Sequence, residues 1–287
     1  MTVAQVQLSI CLFGSLSVSL GAGGDLLPLG GRIGSLLAYL ALGRGRYFSR
    51  GELMSALWPD RPEGASPGSL NTTLWRLRRA VERPPLKSGD LIACDRRGAI
   101  GLSERACLRL DVEEFERLTT PGLAKPPHLL AAADIERLRQ GCRLYTADIL
   151  TDLGDEWALR AREKHRRSYL NALGRLMQLS AMAGDYADSI RHAQAILDCD
   201  ALREDVHREL MHLFVQNGQR ALALRQFEQC RSLLRRELAI QPMRETLALY
   251  RRIADSAVGN AGSETERPAP IPAAMASLPA PAILSAA

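Results

Sequence analysis

The chain has 287 residues, of which 46% are hydrophobic and 5% aromatic, and its formal net charge is +5. This composition suits a soluble globular protein with one large core or two modest ones, aliphatic and mainly helical. Apolar runs such as Ile33–Leu42 are too short to span a bilayer, which excludes a membrane-spanning protein. Because no basic region lies near the N-terminus, we expect no signal peptide and a cytoplasmic protein.

The positive charge is unevenly distributed. Residues 1–110 carry 14 Lys and Arg against 8 Asp and Glu, whereas residues 111–255 carry 22 of each. Such an excess in one segment favours an anionic partner for that segment, although a chance asymmetry of this size is also compatible with the counts.

The six cysteines are widely spaced and form no CxxC pair. This pattern argues against a disulfide framework or a zinc site and favours buried free thiols in a reducing cytoplasm. We therefore expect no metal and no cofactor.

The first elements are two short strands and a helix. Alternating apolar residues predict strands at Gln7–Phe13 and Leu16–Leu20, separated by a Gly-Ser pair. Ile33–Leu42 is predicted to be the first helix, closed by Gly43.

A capping box opens the second helix. The Ser49 hydroxyl can accept a hydrogen bond from the amide of Glu52, whose carboxylate can reach back to the amide of Ser49. The helix is predicted to run to about Trp58, and a segment rich in Pro and Gly leads to the next helix.

The third helix, predicted over Ser69–Arg83, is amphipathic and basic. Its apolar stripe consists of Leu70, Leu74, Leu77 and Val81. The opposite side presents hydroxyl, indole and guanidinium groups, from Thr72, Trp75, Arg76 and Arg79. These groups suit phosphates and base edges, but an ordinary solvated helix would carry a similar pattern. Arg78 lies nearer the apolar side, where it is expected to pair with Glu82.

A hairpin with a basic tip follows. Leu91–Asp95 and Ala99–Leu102 are predicted strands, joined by Arg96, Arg97 and Gly98, the last of which can adopt a positive φ. Strands, three helices and a hairpin follow one another in the order of a winged helix-turn-helix, in which the third helix enters the major groove of DNA.

From Asp111 onwards the sequence predicts helix after helix. Six residues recur 34 positions later, with Gly184 matched by Gly218 and Ala187 by Ala221, which is the period of tetratricopeptide helix pairs. The glycines are predicted at tight turns where a side chain would crowd a neighbour, and the alanines where two helices approach closely. Further helices are predicted at Asp111–Leu118, His128–Tyr145, Trp157–Leu173 and Glu245–Ala254.

The predicted fold class is therefore mainly α, with an α+β winged helix-turn-helix domain at residues 1–108 and an all-α, tetratricopeptide-like domain at 109–255. The remaining residues, 256–287, are rich in Ala, Pro and Ser and are predicted to be a disordered tail.

Two long stretches resemble a known family. Residues 36–82, LLAYLALGRGRYFSRGELMSALWPDRPEGASPGSLNTTLWRLRRAVE, resemble the winged helix of the SARP regulators (Streptomyces antibiotic regulatory proteins). Phrases such as LDVEEFERL and NGQRALALRQFEQCRSLLRRELAIQP resemble the bacterial transcriptional activator domain that follows it in that family. The resemblance covers roughly residues 5–255.

The resemblance implies a transcription activator, without enzymatic activity, that binds direct repeats in double-stranded promoter DNA. It also implies recruitment of RNA polymerase and binding to DNA as side-by-side homodimers, in the cytoplasm at the nucleoid. The candidate DNA-contacting residues are Arg50 at the start of the second helix, Asn71, Thr72, Thr73, Trp75, Arg76, Arg79 and Arg83 on the third, and Arg96 and Arg97 in the wing.

Two other classes of function compete with this interpretation. For an enzyme, the chain offers no P-loop, no GxSxG and no HExxH motif, and its five histidines show no ligand spacing and fit surface helix positions. The alternative is a tetratricopeptide adaptor that binds a protein partner and carries a degenerate winged-helix domain. Salt-dependent DNA binding would distinguish the regulator from the adaptor.

Overall fold

The computed structural model describes residues 8–21, 24, 26–59, 68–84 and 86–255. The predicted tail and most of the Pro- and Gly-rich segment before the third helix lie outside these residues. Strands β1 to β5 are Leu8–Cys11, Ser17–Leu20, Ile92–Cys94, Ile100–Leu102 and Leu108–Leu110. Helices α1 to α10 are Gly31–Leu42, Arg50–Leu57, Gly68–Val81, Asp111–Ala124, Ala132–Leu144, Glu156–Met182, Tyr186–Cys199, Glu204–Gln216, Arg220–Leu238 and Arg244–Asp255.

A three-stranded sheet in the order β2-β1-β5 opens the fold. The two predicted strands are present as β1 and β2, which pair antiparallel, and β5 joins β1 in parallel, with Leu8 opposite Leu108. The sequence did not predict β5, because a three-residue strand between a turn and a helix has too little alternation to be recognised.

Helices α1, α2 and α3 pack against one another, α1 also contacts β4, and their buried residues share one hydrophobic core with those of the strands. The capping box of α2 is present: Ser49 Oγ accepts from the amide of Glu52, and Glu52 accepts from the amide of Ser49. The hydrogen bonds from Ser49 lower the pKa of Glu52. The predicted apolar stripe of α3 is buried along its whole length, from Leu70 to Val81.

The predicted hairpin is formed by β3 and β4, which pair antiparallel. Gly98 has φ = +80°, in the left-handed region, as its place in the tip requires.

The helical half of the protein comprises α4 to α10. It consists of successive antiparallel helix pairs, α4 with α5, α6 with α7 and α8 with α9, and ends in α10. Several helices extend beyond their predicted bounds. α4 continues through Pro121 to Ala124, and α6 continues to Met182. The region predicted as one helix from His128 instead contains a short 3-10 turn at Pro127–Leu129, followed by α5.

The 34-residue repeat corresponds to the α6–α7 and α8–α9 pairs. The structure contradicts the crowding predicted at its glycines and the close helix approach predicted at its alanines. Gly184 and Gly218 have φ of +77° and +72°, and a Cβ at either position would meet nothing within 4 Å. Glycine is therefore favoured by the left-handed backbone of the turn and not by crowding. Ala187 and Ala221 are exposed, whereas Ala193 and Ala223, on the same two helices, are buried.

Other expectations about side-chain burial also need correction. Cys11 and Cys94 are exposed thiols. His165 and His207 are buried, and the Nδ1–H group of His165 donates to the carbonyl of Ala161. Among the described residues, no helix has the length and apolar character needed to cross a membrane.

One hydrophobic core extends from the winged half, which comprises β1 to β5 and α1 to α3, into the helical half. Phe115 of α4 and Ile149 in the α5–α6 connection belong to the same buried cluster as β1 and α1. The Asp111 carboxylate, at the start of α4, accepts hydrogen bonds from the amides of Leu12 at 2.8 Å and Phe13 at 2.9 Å. The winged half is thus held against the helical half by buried contacts and hydrogen bonds.

Candidate DNA interface

The candidate recognition surface is the exposed side of α3 together with Arg83, two residues beyond the end of the helix. Because Leu70, Leu74, Leu77 and Val81 are buried, the side chains roughly opposite them face solvent. Five helical residues and one residue after the helix form this surface: Asn71, Thr72, Trp75, Arg76, Arg79 and Arg83.

Thr73 is not on the recognition surface. It is only 9% exposed, and its hydroxyl donates to the carbonyl of Ser69 at 2.8 Å, one turn earlier in α3. Position 73 lies beside Leu70 and Leu77 on the helix, so the core covers it. The expectation that Thr73 contacts DNA therefore has no support from its position.

Trp75 forms the centre of the recognition surface. Its side chain is 58% exposed, which is unusual for so large an aromatic residue, and the guanidinium carbon of Arg79 lies 5.4 Å from the ring centroid. This distance allows a cation–π contact between the two side chains. A shallow depression of about 480 Å³ is lined by both residues and by Arg76, Ala80 and Arg83.

Arg50, the first residue of α2, lies beside the N-terminal turn of α3. Its Nη1 donates to Oδ1 of Asn71 at 2.6 Å, and both side chains are exposed. The sequence pointed to each residue separately, and the structure brings them together at one end of the recognition surface.

The β3–β4 hairpin, which is the wing of this domain, presents Arg96 and Arg97 at its exposed tip. The turn is held by Asp95, whose Oδ1 accepts from the amides of Arg97 and Ala99, each at 2.8 Å. Because Asp95 and backbone amides hold this turn together, its stability does not depend on the side chains of Arg96 and Arg97, which project away from the hairpin.

α3 and the wing are joined by two residues that were expected to pair with each other. Arg78 Nη2 donates to the carbonyl of Ile92 at 3.0 Å, and Glu82 Oε1 accepts from the amide of Ile92 at 2.8 Å. Glu82 also accepts from the amides of Gly89 and Leu91. The predicted Arg78–Glu82 pair is therefore wrong, since each side chain binds the backbone of β3 or of the loop before it.

The arginines of α3, of the residues after it and of the hairpin tip carry positive charge that no salt bridge with a described residue neutralises. Within the described part of the chain, no carboxylate forms a salt bridge with the following five: Arg76, Arg79, Arg83, Arg96 and Arg97. By contrast, Arg32, Arg44 and Arg46 in the same half each bind an Asp or Glu. Unpaired guanidinium groups on a helix and an adjacent hairpin suit the phosphates and guanine edges of duplex DNA.

Comparison with known proteins agrees with this layout. The family model for the bacterial transcriptional activator domain matches residues 110–254, and the model for the C-terminal part of transcriptional regulatory proteins matches residues 24–98. Regulatory protein AfsR of Streptomyces coelicolor is 28% identical over 251 residues, which are 86% of this chain and 24% of AfsR. Transcriptional regulator RedD of the same species is 28% identical over 215 residues, 74% of this chain and 61% of RedD.

A solved structure shows the same fold. Mycobacterium tuberculosis EmbR, determined in complex with a low-affinity phosphopeptide, superposes with a TM-score of 0.69 and 19% identity, over 87% of this chain and 65% of EmbR. The chain thus spans about a quarter of the length of AfsR and about two thirds or less of the lengths of RedD and EmbR.

Proposed function

Since this chain belongs to the family with the bacterial transcriptional activator domain and is a SARP-type, DNA-binding regulator of transcription, we propose that it is an activator that binds direct repeats in promoter DNA and recruits RNA polymerase. We assign DNA binding to residues 1–108 and polymerase contact to residues 109–255. The protein acts at the nucleoid.

The observation that carries this proposal is the exposed, unpaired set of arginines on α3 and in the wing. In a winged helix-turn-helix, the third helix lies in the major groove. Arg76 and Arg79 point into the groove in this arrangement, with Trp75 against the sugars or a thymine methyl group. Arg96 and Arg97 then lie along the backbone or the minor groove beside it.

Binding to direct repeats sets the geometry of the complex. Two copies on repeats of the same orientation are related by a translation along the helix axis and a rotation, so they meet through two different surfaces. The side-by-side homodimer is therefore asymmetric at its contact and forms on DNA. A continuous core joins the two halves of each copy, and this supports a fixed orientation of each helical domain relative to the DNA that its winged half binds.

The test combines footprinting with transcription in vitro. The full chain is footprinted on genomic promoter fragments at several salt concentrations, and transcripts are then counted with purified RNA polymerase. We expect protection of two repeats, weaker binding at higher salt, and more transcript from the bound promoter. A footprint without increased transcription would overturn activation, and peptide binding with no footprint would favour the adaptor function instead.

A further inference from the structure

The contact between Arg50 and Asn71 fixes which end of the Asn71 amide faces outwards. A guanidinium group carries only hydrogen-bond donors, so the Asn71 atom 2.6 Å from Arg50 Nη1 has to be the carbonyl oxygen. The amide NH₂ group therefore faces away from Arg50. Because the partner has no acceptor, this assignment does not depend on the usual ambiguity between the two ends of an amide.

Asn71 also occupies a position from which its NH₂ group can reach DNA. It is the fourth residue of α3, in the N-terminal turn whose side chains contact base edges in helix-turn-helix proteins. It is exposed and lies one turn before Trp75 on the same side of the helix. Its NH₂ group has no hydrogen-bond partner among the described residues.

The familiar Asn–adenine contact needs both ends of the amide. The oxygen accepts from the adenine N6 amino group while the nitrogen donates to N7. In this protein the oxygen is already bound to Arg50, and a donor group of Arg50 stands next to it. One lone pair of the oxygen remains, but an adenine amino group that approached it would meet the positively charged guanidinium beside it, which disfavours this contact.

We propose that Arg50 and Asn71 form a donor-only reading unit that selects guanine over adenine at one position of the operator. Guanine presents two neighbouring acceptors in the major groove, N7 and O6, and no donor that would face Arg50. This inference rests on the proposed function, because it requires α3 to lie in the major groove. Arg50 acts here as the positioning residue and Asn71 as the residue that reads the base.

The test is selection of bound duplexes from a randomised DNA library with the full chain and three variants. Asn71→Ala identifies the position read by residue 71, since the base preference disappears there and remains elsewhere. Arg50→Met removes the donor from Asn71 and should shift that position from guanine towards adenine by roughly tenfold. Arg50→Lys is the matched control: an ammonium group also only donates, so guanine should be retained.

The outcomes separate this inference from the proposed function. If the unmodified chain enriches no motif, both fail. If it enriches a motif, but Arg50→Met weakens binding equally for all sequences and leaves every base preference unchanged, Arg50 contacts only phosphate and the reading unit is overturned. A preference for adenine in the unmodified chain at the position read by Asn71 would also overturn it. Melting temperatures close to that of the unmodified chain verify that each variant is folded.

Discussion

Trp157, near the start of α6, packs edge-on against Tyr39 of α1, with ring centroids 5.2 Å apart and planes at 89°. A salt bridge between Arg32 and Asp155 lies at the same junction. These contacts hold the helical half against α1, the helix on which α3 packs. A change in the position of the helical half would therefore move α3, the proposed DNA-contacting helix, with it.

Arg76→Ala and Arg79→Ala should each weaken operator binding. Loss of a guanine contact would cost about 1–3 kcal/mol of binding free energy and relax the base preference at one position. Loss of a phosphate contact would instead reduce the slope of log K against log salt by about 1. Fluorescence anisotropy with a labelled operator at several salt concentrations distinguishes the two.

Arg225→Ala is the matched control, because Arg225 is exposed and forms no salt bridge among the described residues but lies on α9. We expect its affinity and salt slope to equal those of the unmodified chain. If Arg76→Ala and Arg79→Ala behave like this control, α3 is not the recognition helix.

The wing arginines should contribute affinity with little sequence preference. Replacing Arg96 or Arg97 by Ala removes one positive charge from an exposed tip that Asp95 holds together through backbone amides. Binding to all sequences should weaken to a similar degree, and the salt slope should fall by about 1 for each replaced arginine that contacts a phosphate. A change of base preference without a change of slope would show that the wing reads bases.

The sequence predicted the elements of this surface but not how they are joined. The spacing of Leu70, Leu74 and Leu77 was sufficient to place α3, because burial of one helical stripe is a local pattern. The hydrogen bonds that join Arg78 and Glu82 to the backbone of Ile92 depend on how close the end of α3 lies to β3. The spacing of residues along the sequence does not reveal that distance. Buried Thr73 shows the same limit, since a helical wheel does not reveal how far the core spreads around a helix.

Glu82→Ala should destabilise the winged half. Three backbone amides, those of Gly89, Leu91 and Ile92, would lose their acceptor, and the amides of Leu91 and Ile92 belong to buried residues. Leaving a buried donor unsatisfied costs about 1–3 kcal/mol. Urea denaturation followed by circular dichroism measures this loss, and Glu82→Gln, which keeps one carbonyl acceptor, should lose less. Equal stability of all three proteins would contradict the role assigned to Glu82.

Asp111→Ala should destabilise the junction between β1 and α4. Its carboxylate accepts from the amides of Leu12, Phe13 and Val112, all of which belong to buried residues. Burial raises the pKa of Asp111, and the backbone hydrogen bonds oppose this rise. We expect a loss of about 1–3 kcal/mol in the free energy of unfolding, because the amides lose their acceptor. Amide hydrogen exchange locates the effect: protection should fall at Leu12 and Phe13 before it falls in α8, whereas uniform loss of protection would argue against a local anchor.

The lowered pKa of Glu116 predicts how the stability of the fold changes in acid. It lies on α4, with its Oε1 3.4 Å from His165 Nε2 and 2.8 Å from Lys164 Nζ on α6, and these contacts lower its pKa from 4.5 to about 2. A carboxylate whose pKa is lower in the folded state stabilises the fold fully above its unfolded pKa. Its contribution decreases as the pH falls from about 4.5 towards about 2.

The difference in urea midpoint between the unmodified chain and Glu116→Gln should therefore be present at pH 5 and decrease between pH 4 and pH 3. Glu104→Gln serves as the control, because Glu104 is exposed and forms no salt bridge within the described residues. It should leave the urea midpoint nearly unchanged at each pH. A difference for Glu116→Gln that grows as the pH falls from 4 to 3 would have the wrong sign for a carboxylate stabilised in its charged form, and would show that the contacts with Lys164 and His165 do not stabilise the fold.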